Sequence, residues 1–583
     1  MAGDYTRLRF DPRNDGAGIL QQQGRVMLDQ DWNEQVELVR RRIRAGTLDT
    51  IGAGVVPLQT PEGFHIQLTA TNDLTIGVGR IYVDGLLAEN HGTGALIYDA
   101  KLDEQVGSQP VPYEQQPYLP TPWTLPGPNP FQLPQPPDNG PHLVYLDVWT
   151  REVTWLQDPL LVEKAVGVDT VTRLQTAGQV RVLKDVGAGV TCATPDDQIP
   201  GWAAATARSA GLLTTAAAGV PQSTDPCTIP AEGGYRGTEN RTYRVEIHTP
   251  GGFGTAQFKW SRNNASLATQ VTALNATGTV LTVVMTKRDS VVRFAAGSWV
   301  EVTDDIHEFA GVAGEMHQVQ AVDDVNQTIT LATALTAGAF DPTHPERHTR
   351  VTLWDQSGTV RDPNNNIIVD VDTNGGLIPV LQNTTVVLED GIQVSFGLDP
   401  AITGGAFQAR DFWVFTARAV DASVEILTNA PPRGIHHHYC RLAVVTFPNS
   451  PADCRSFWPP SLGGDCGCDA CVTAQSHNQG IFTIQTAIEQ VKSGGRVCIG
   501  PGVYVLTQTI TLSGVQSVEL AGHGSPVLLA PSAAAQGTQP VILVDSCVGV
   551  TVQDLTIGMA PSIAFDPQQN AILTPGIMLQ NSA

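Results

Sequence analysis

The sequence predicts a mainly β protein: an N-terminal helix with hairpins, a β-sandwich or barrel-type body carrying an inserted small β-barrel, and the start of a right-handed parallel β-helix at the C-terminus. Three observations carry this. Only 16% of the 583 residues are charged, against roughly 25% in an ordinary soluble domain. The chain holds 57 Gly and 40 Pro, the residues that punctuate turns. Short runs rich in Val, Ile and Thr recur between those turns, as strands do. A hydrophobic content of 42% excludes a disordered chain, and heptad-spaced Ala, Glu, Lys and Leu are missing, which excludes a long coiled coil. The net charge of −23 argues against general nucleic-acid binding, which needs a basic surface. A chain of this length suggests about three to five domains.

Residues 1–107 read as a helix and hairpin docking region. The spacing predicts a helix from about Asp29 to Leu48, because Trp32, Val36, Val39 and Ile43 recur on one face. Arg40, Arg41, Arg42 and Arg44 lie near its predicted end, where cations suit the helix dipole. They are either a solvated face or a docking patch for an acidic partner. Leu74–Asn90 reads as two strands broken at Asp84-Gly85, a hairpin signal. Residues 108–141 contain 12 prolines and read as a Pro-rich strap, an ordered loop or a cover for a neighbour.

The β-rich body is expected over 142–264 and 346–450. Its strands include His142–Trp149, Thr242–His248 and Ala256–Ser261. Residues 196–234, rich in Ala, Gly and Thr, read as a weakly structured insertion. Closely spaced strands at Thr279–Met285, Trp299–Thr303, Met316–Val322 and Gln327–Leu331 predict a small barrel over 265–345. A Cys-rich junction follows at 451–479. From 480 to 583, Ile484, Ala487, Ile488 and Val491 mark a short amphipathic helix, and brief β runs then repeat at coil-sized spacing. That is the mark of a parallel β-helix with a capping helix. The sequence stops as another coil begins, so the expectation is a solenoid that continues in a longer chain.

Several motifs occur in order: Gln22-Gln-Gly-Arg-Val-Met-Leu-Asp-Gln-Asp-Trp-Asn-Glu-Gln35, Asp147-Val-Trp-Thr-Arg-Glu-Val153, Glu239-Asn-Arg-Thr-Tyr-Arg-Val-Glu-Ile-His248, Phe258-Lys-Trp-Ser-Arg-Asn263 and His437-His-Tyr-Cys-Arg-Leu-Ala443. Over roughly residues 1–475 the chain resembles a family of uncharacterised proteins encoded beside baseplate and tail genes of phage-like contractile injection systems. The remainder resembles pectate-lyase-like and tailspike-like β-helices. The resemblance implies a particle context: baseplate or tail proteins as partners, a homo-oligomer (a trimer, as in tailspikes), and a cell-surface glycan as a target.

Nine cysteines are present, seven of them between Cys440 and Cys547. Cys466, Cys468 and Cys471 on one loop, with Cys440, Cys454 or a neighbouring histidine such as His438, form a candidate structural zinc site, since zinc takes four thiolate or imidazole ligands. Disulfides and reduced packed thiols are the other two readings. Cys498 and Cys547 fall in predicted strands and read as small core residues. No P-loop, G-x-S-x-G or H-E-x-x-H motif is present. The acids of the C-terminal region, Glu519, Asp545, Asp554 and Asp566, read as turn caps; Asp545 and Asp554 are the pair that a polysaccharide-cleaving enzyme would need to place together. Glu239, Arg241, Arg244 and Glu246 alternate with Tyr243 and Val245 on one strand and suggest a cross-strand ion-pair ladder. The N-terminus lacks an apolar signal segment, and no run of about 18 apolar residues spans a membrane. These points set the expectations: cytoplasmic assembly, a structural and recognition role rather than catalysis, and, as the alternatives, a carbohydrate-active β-helix enzyme or a free adhesin.

Overall fold

In the computed structural model, residues 3–69, 73–134, 140–219, 233–287, 292–458, 468–478, 480, 482–491, 494–530, 540–558 and 576–582 are described. They divide into two units, Met1–Arg455 and Ser456–Ala583.

The first unit is built on antiparallel sheets. The helix forms over Asp29–Ile51, one turn longer than the spacing suggested. The four arginines therefore lie inside it and not in its last turn. Two of them fasten it to the body: Arg40 Nη2 donates to Thr150 Oγ1 at 3.3 Å, and Arg44 Nε donates to the Asp84 carbonyl at 2.9 Å. Strands Gly79–Val83 and Leu86–Asn90 pair through the predicted turn. Both turn residues, Asp84 (φ 47°) and Gly85 (φ 78°), adopt the left-handed conformation that a two-residue hairpin of this twist requires.

The body is two facing five-stranded sheets. One is centred on Gly211–Ala217 and Ile392–Leu398, the other on Arg241–Thr249, Gln257–Ser261 and Phe412–Arg418. Their inner residues, among them Leu213, Val394, Tyr243, Phe258, Trp413 and Phe415, share one core. The weakly structured insertion expected at 196–234 is thus corrected in part. Gly211–Ala217 pairs along its whole length with Ile392–Leu398, and Trp202 is buried. Tertiary packing overrides the weak strand propensity of Ala and Gly there; residues 220–232 lie outside the described set.

The small barrel is closed and six-stranded, in the order Ala268–Leu274, Val280–Val283, Thr328–Leu331, Glu315–Asp323, Trp299–Thr303, Arg350–Trp354. Val271, Leu281, Val283, Val300, Val302, Val319, Ile329 and Val351 fill it. The closing strand, Arg350–Trp354, lies past the predicted limit of 345. Its pairing with Ala268–Leu274 and Trp299–Thr303 is long-range and leaves no local sequence signal.

The Pro-rich strap packs on its own chain. Tyr113, Leu119, Leu125, Phe131 and Leu133 are buried, Gln116 bonds the Val180 backbone, and Thr124 Oγ1 donates to the Ala339 carbonyl at 3.2 Å.

From Ala470 onwards the strands of the second unit are parallel and rotate among three sheets. Gly495–Ile499, Val518–Gly522 and Thr551–Gln553 share the first, with Ala470–Val472 ahead of them. Val503–Val505, Val527–Leu529 and Thr556–Gly558 make the second. Ile510–Ser513, Ile542–Asp545 and Ile577–Gln580 make the third. Val497, Tyr504, Leu512, Leu520, Leu528, Ile542 and Cys547 form the enclosed core. The predicted short helix forms over Ile484–Gln490 and contributes Ile484, Ala487 and Ile488 to that core.

Candidate functional site

Two groupings of reactive side chains stand out, one in each unit. The first surrounds a six-residue helix, Asp305–Ala310, between barrel strands Trp299–Thr303 and Glu315–Asp323. Asp304 caps it by accepting from the His307 backbone N–H at 3.1 Å, and Gly311 ends it in the left-handed conformation (φ 71°). Asp305 and Glu308, three residues apart, face the same way. Arg350, fully buried on the closing barrel strand, donates to Asp305 Oδ1 at 2.8 Å and to Glu308 Oε2 at 2.5 Å. Arg151 lies 3.5 Å from Glu308 and 4.7 Å above the Phe309 ring, and Arg410 lies 3.7 Å from Glu308. Arg347 forks onto Asp304.

Beside this group runs the ladder expected from residues 239–246. Lys259, fully buried, stands directly opposite Glu246 in the strand register. Its Nζ lies 3.3 Å from Glu246 and 2.5 Å from Glu301, and 4.4 Å over the Trp354 ring. Arg244 donates to Glu246 at 2.7 Å. A cavity of about 50 Å³ lies among Arg244, Glu246, Glu301, Arg350 and Arg410, room for a few waters.

Burial by itself would raise the Glu301 and Glu308 carboxyls, but Lys259 beside the one, and Arg410, Arg350 and Arg151 beside the other, hold both well below the usual range. A carboxylate held ionised in this way is a poor proton donor at neutral pH. Burial and the charge of Lys259 push His248 down to about 4. The chemistry of this grouping is cohesion: it ties the barrel to the sheet that carries Arg151.

The second grouping contains the cysteines. Cys468, Cys471 and Cys498 place their sulfurs within 4.8 Å of one another, a cluster that could hold a metal ion. Cys468 is joined to Cys498 by a disulfide, and Cys471 is also disulfide-bonded. Cys471 and Cys498 are paired residues on neighbouring parallel strands. Their flanking residues Ala470, Val472, Val497 and Ile499 enter the core, so the alternation of a strand puts the two cysteines on the opposite face. Cys498 and Cys547 are both buried, as expected of them, and Cys547 belongs to the enclosed apolar cluster. The exposed His523 holds its Nε2 3.1 Å from Cys498 Sγ.

The other proposed ligands lie apart from this cluster. Cys454 forms a disulfide with Cys192, 262 residues away, and so is withdrawn from the zinc set. Cys440 is a free thiol. Burial first, and then the nearby Asp84 charge, push it up to about 12, which leaves it protonated and inert. His438 Nδ1 lies 2.9 Å from Asp84 Oδ2 and 3.3 Å from Arg44 Nη2, and His437 Nδ1 lies 2.8 Å from Asp147. These two are satisfied polar groups on a strand. Cys466 lies outside the described residues, as does Asp566. Among the other acids, Glu519 accepts from Gln553 at 2.7 Å and pairs with Arg496 at 3.2 Å, Asp545 accepts from Asn581 at 3.3 Å, and Asp554 occupies a left-handed turn position (φ 58°).

Cys498 and His523 are the members that sequence spacing did not place. Cys468-Asp-Ala-Cys471 is a C-x-x-C signal readable from the chain, but the strand register that brings Cys498 against it is not local. No curated protein matches the chain, and no solved structure does. Residues 1–214 and 202–446 match one family profile, and that coverage settles membership: the chain belongs to the family of unknown function DUF6519.

Proposed function

We propose that this protein is a structural and recognition component, a baseplate-attached spike or fibre-like subunit, of a phage-tail-like contractile injection particle. The observation that carries the reading is the outer face of the Asp29–Ile51 helix. The apolar stripe of an amphipathic helix normally faces its own core. Here only Leu38 is buried, while Trp32 is 59% exposed and Ile43 62%, with Val39 also exposed. The approach to the helix adds exposed Leu20, Val26, Met27 and Leu28. A concentration of exposed apolar side chains of this kind favours a docking face. Arg41 and Arg42 are exposed on the same helix and favour an acidic partner surface.

The two-stranded hairpin Thr93–Asp99/Glu104–Gln109 supports the same reading. It exposes Leu96, Ile97 and Tyr98, and an isolated hairpin is marginal without a partner. The rotating parallel strands of the second unit fit the first coils of a right-handed parallel β-helix, a rigid projecting rod. In this reading the subunit assembles in the cytoplasm as a closed homotrimer, joins tail or baseplate proteins, and presents its rod to a cell-surface glycan. No described helix is long and apolar enough to cross a membrane.

The experiment is mass spectrometry of density-purified particles. The chain should be present in fixed ratio to sheath and baseplate proteins. Its absence from particles, together with release of oligosaccharide when the recombinant chain meets surface polysaccharide, would replace this reading with the enzymatic one.

A further inference from the structure

Three sulfurs of the second unit, all of them in disulfides, converge within 4.8 Å of one another, and an imidazole nitrogen stands 3.1 Å from one of them. In a tetrahedral zinc site the Zn–S distance is about 2.3 Å, which separates sulfurs by roughly 3.8 Å.

The backbone around it is fixed from several sides. Asp469, inside the C-x-x-C turn, donates its N–H to the Arg496 carbonyl at 2.9 Å. Its Oδ2 accepts the Arg496 N–H at 2.7 Å. This holds the turn against the strand that carries Cys498. Gly495 permits that approach: its φ is +146°, and a Cβ there would lie 2.8 Å from Asp469 Oδ2. The His523 N–H donates to the Ile499 carbonyl at 2.8 Å, which sets the imidazole beside Cys498. Outer-shell contacts of this kind orient metal ligands.

We propose that in the reduced chain Cys468, Cys471, Cys498 and His523 form a closed Cys3His zinc site, with the disulfide as its oxidised alternative. A dithiol reductant delivers two electrons and two protons to the Cys468–Cys498 bond. The S–S bond breaks, two thiols form, and the dithiol becomes a disulfide. A second equivalent breaks the S–S bond of Cys471 in the same way, leaving Cys471 and its former partner as thiols. Zinc then displaces one proton from each thiol to solvent and takes the Nε2 lone pair of the neutral imidazole. With four protein ligands the site is structural and pins the strands Ala470–Val472 and Gly495–Ile499 to the turn after Val518–Gly522. The site is independent of the particle reading, since it concerns the isolated chain.

The test is elemental analysis of the full chain purified with a phosphine reductant and no chelator. About one zinc per chain is expected, released on oxidation by a diazene oxidant and lost in Cys498→Ser. Cys440→Ser and Cys454→Ser should keep the metal. Should Cys498→Ser fail to fold, His523→Ala, at an exposed position, carries the test: a chromophoric chelator should strip its zinc at least about tenfold faster. Less than about 0.3 zinc per reduced wild-type chain, or a His523→Ala chain that gives up zinc at the wild-type rate, would overturn the proposal.

Discussion

Single residues decide how the barrel is held to the body. Lys259 has no exposed surface and two carboxylates against its ammonium. Removing one partner of a buried ion pair leaves uncompensated charge, at a cost of about 3–5 kcal/mol. Lys259→Met should therefore lower the urea midpoint by that equivalent, while an exposed pair such as Arg13–Asp11 should prove near neutral when removed. Acid pH should act on the same network. Asp304, Glu301 and Glu308 have depressed folded values, so their stabilisation is complete above the ordinary carboxyl range near 4 and is lost as pH falls below it.

Asp411 has the opposite sign. Burial pushes it up to about 7, against the hydrogen bonds from Ser209 Oγ (2.5 Å) and the Gln408 N–H (2.8 Å). Its raised value favours the protonated native state, so it destabilises increasingly as pH rises from about 4 to 7. Asp411→Asn should gain on the parent by up to about 4 kcal/mol between pH 4 and pH 8 in denaturant titrations. Of this network only the charges at Arg244 and Glu246 were legible beforehand. The sequence shows that Arg350, Asp305 and Lys259 exist, but only long-range strand pairing makes them neighbours.

Elements were more legible than residues. The Asp84-Gly85 turn, the N-terminal helix, the barrel strands and the short helix at 484–490 all carry local signals of turn chemistry or period. Gly85→Ala tests the first: φ is +78°, and a Cβ would run into the Arg44 carbonyl. A loss of more than about 1 kcal/mol in thermal or urea unfolding is expected. What the period of the helix did not reveal is which way its stripe faces. Trp32, Val36, Val39 and Ile43 were found on one face, as spacing required, but three of the four remain exposed. Arg40 and Arg44 on another face make the intramolecular attachments. Periodicity reports that a face is apolar, not whether its cover is the same chain. The Cys-rich junction was legible only in part, since Cys468 and Cys471 do converge, with Cys498, in a cluster that could hold a metal ion. Cysteines close in sequence were grouped, whereas Cys454 pairs with Cys192 and Cys468 with Cys498.

At the scale of the whole molecule, the composition suits the assembly component proposed above. Only six of the 34 basic residues are lysines, and the arginines are used in fixed, multi-partner contacts as at Arg151, Arg347 and Arg350, where a planar fork suits them. Light scattering coupled to size exclusion should give about three times the 62.1 kDa chain mass if the subunit is the trimer proposed; a 62.1 kDa species at micromolar concentration would refute the trimer. The central claim is that the exposed helix face docks this chain into a particle. It is tested most directly by cosedimentation of particles with wild-type chain and with the double variant Trp32→Asp/Ile43→Asp. Because both side chains are exposed, the variant should keep wild-type thermal stability and yet be lost from the particle fraction. Equal amounts of variant and wild type in the particles, or of neither, would contradict the account.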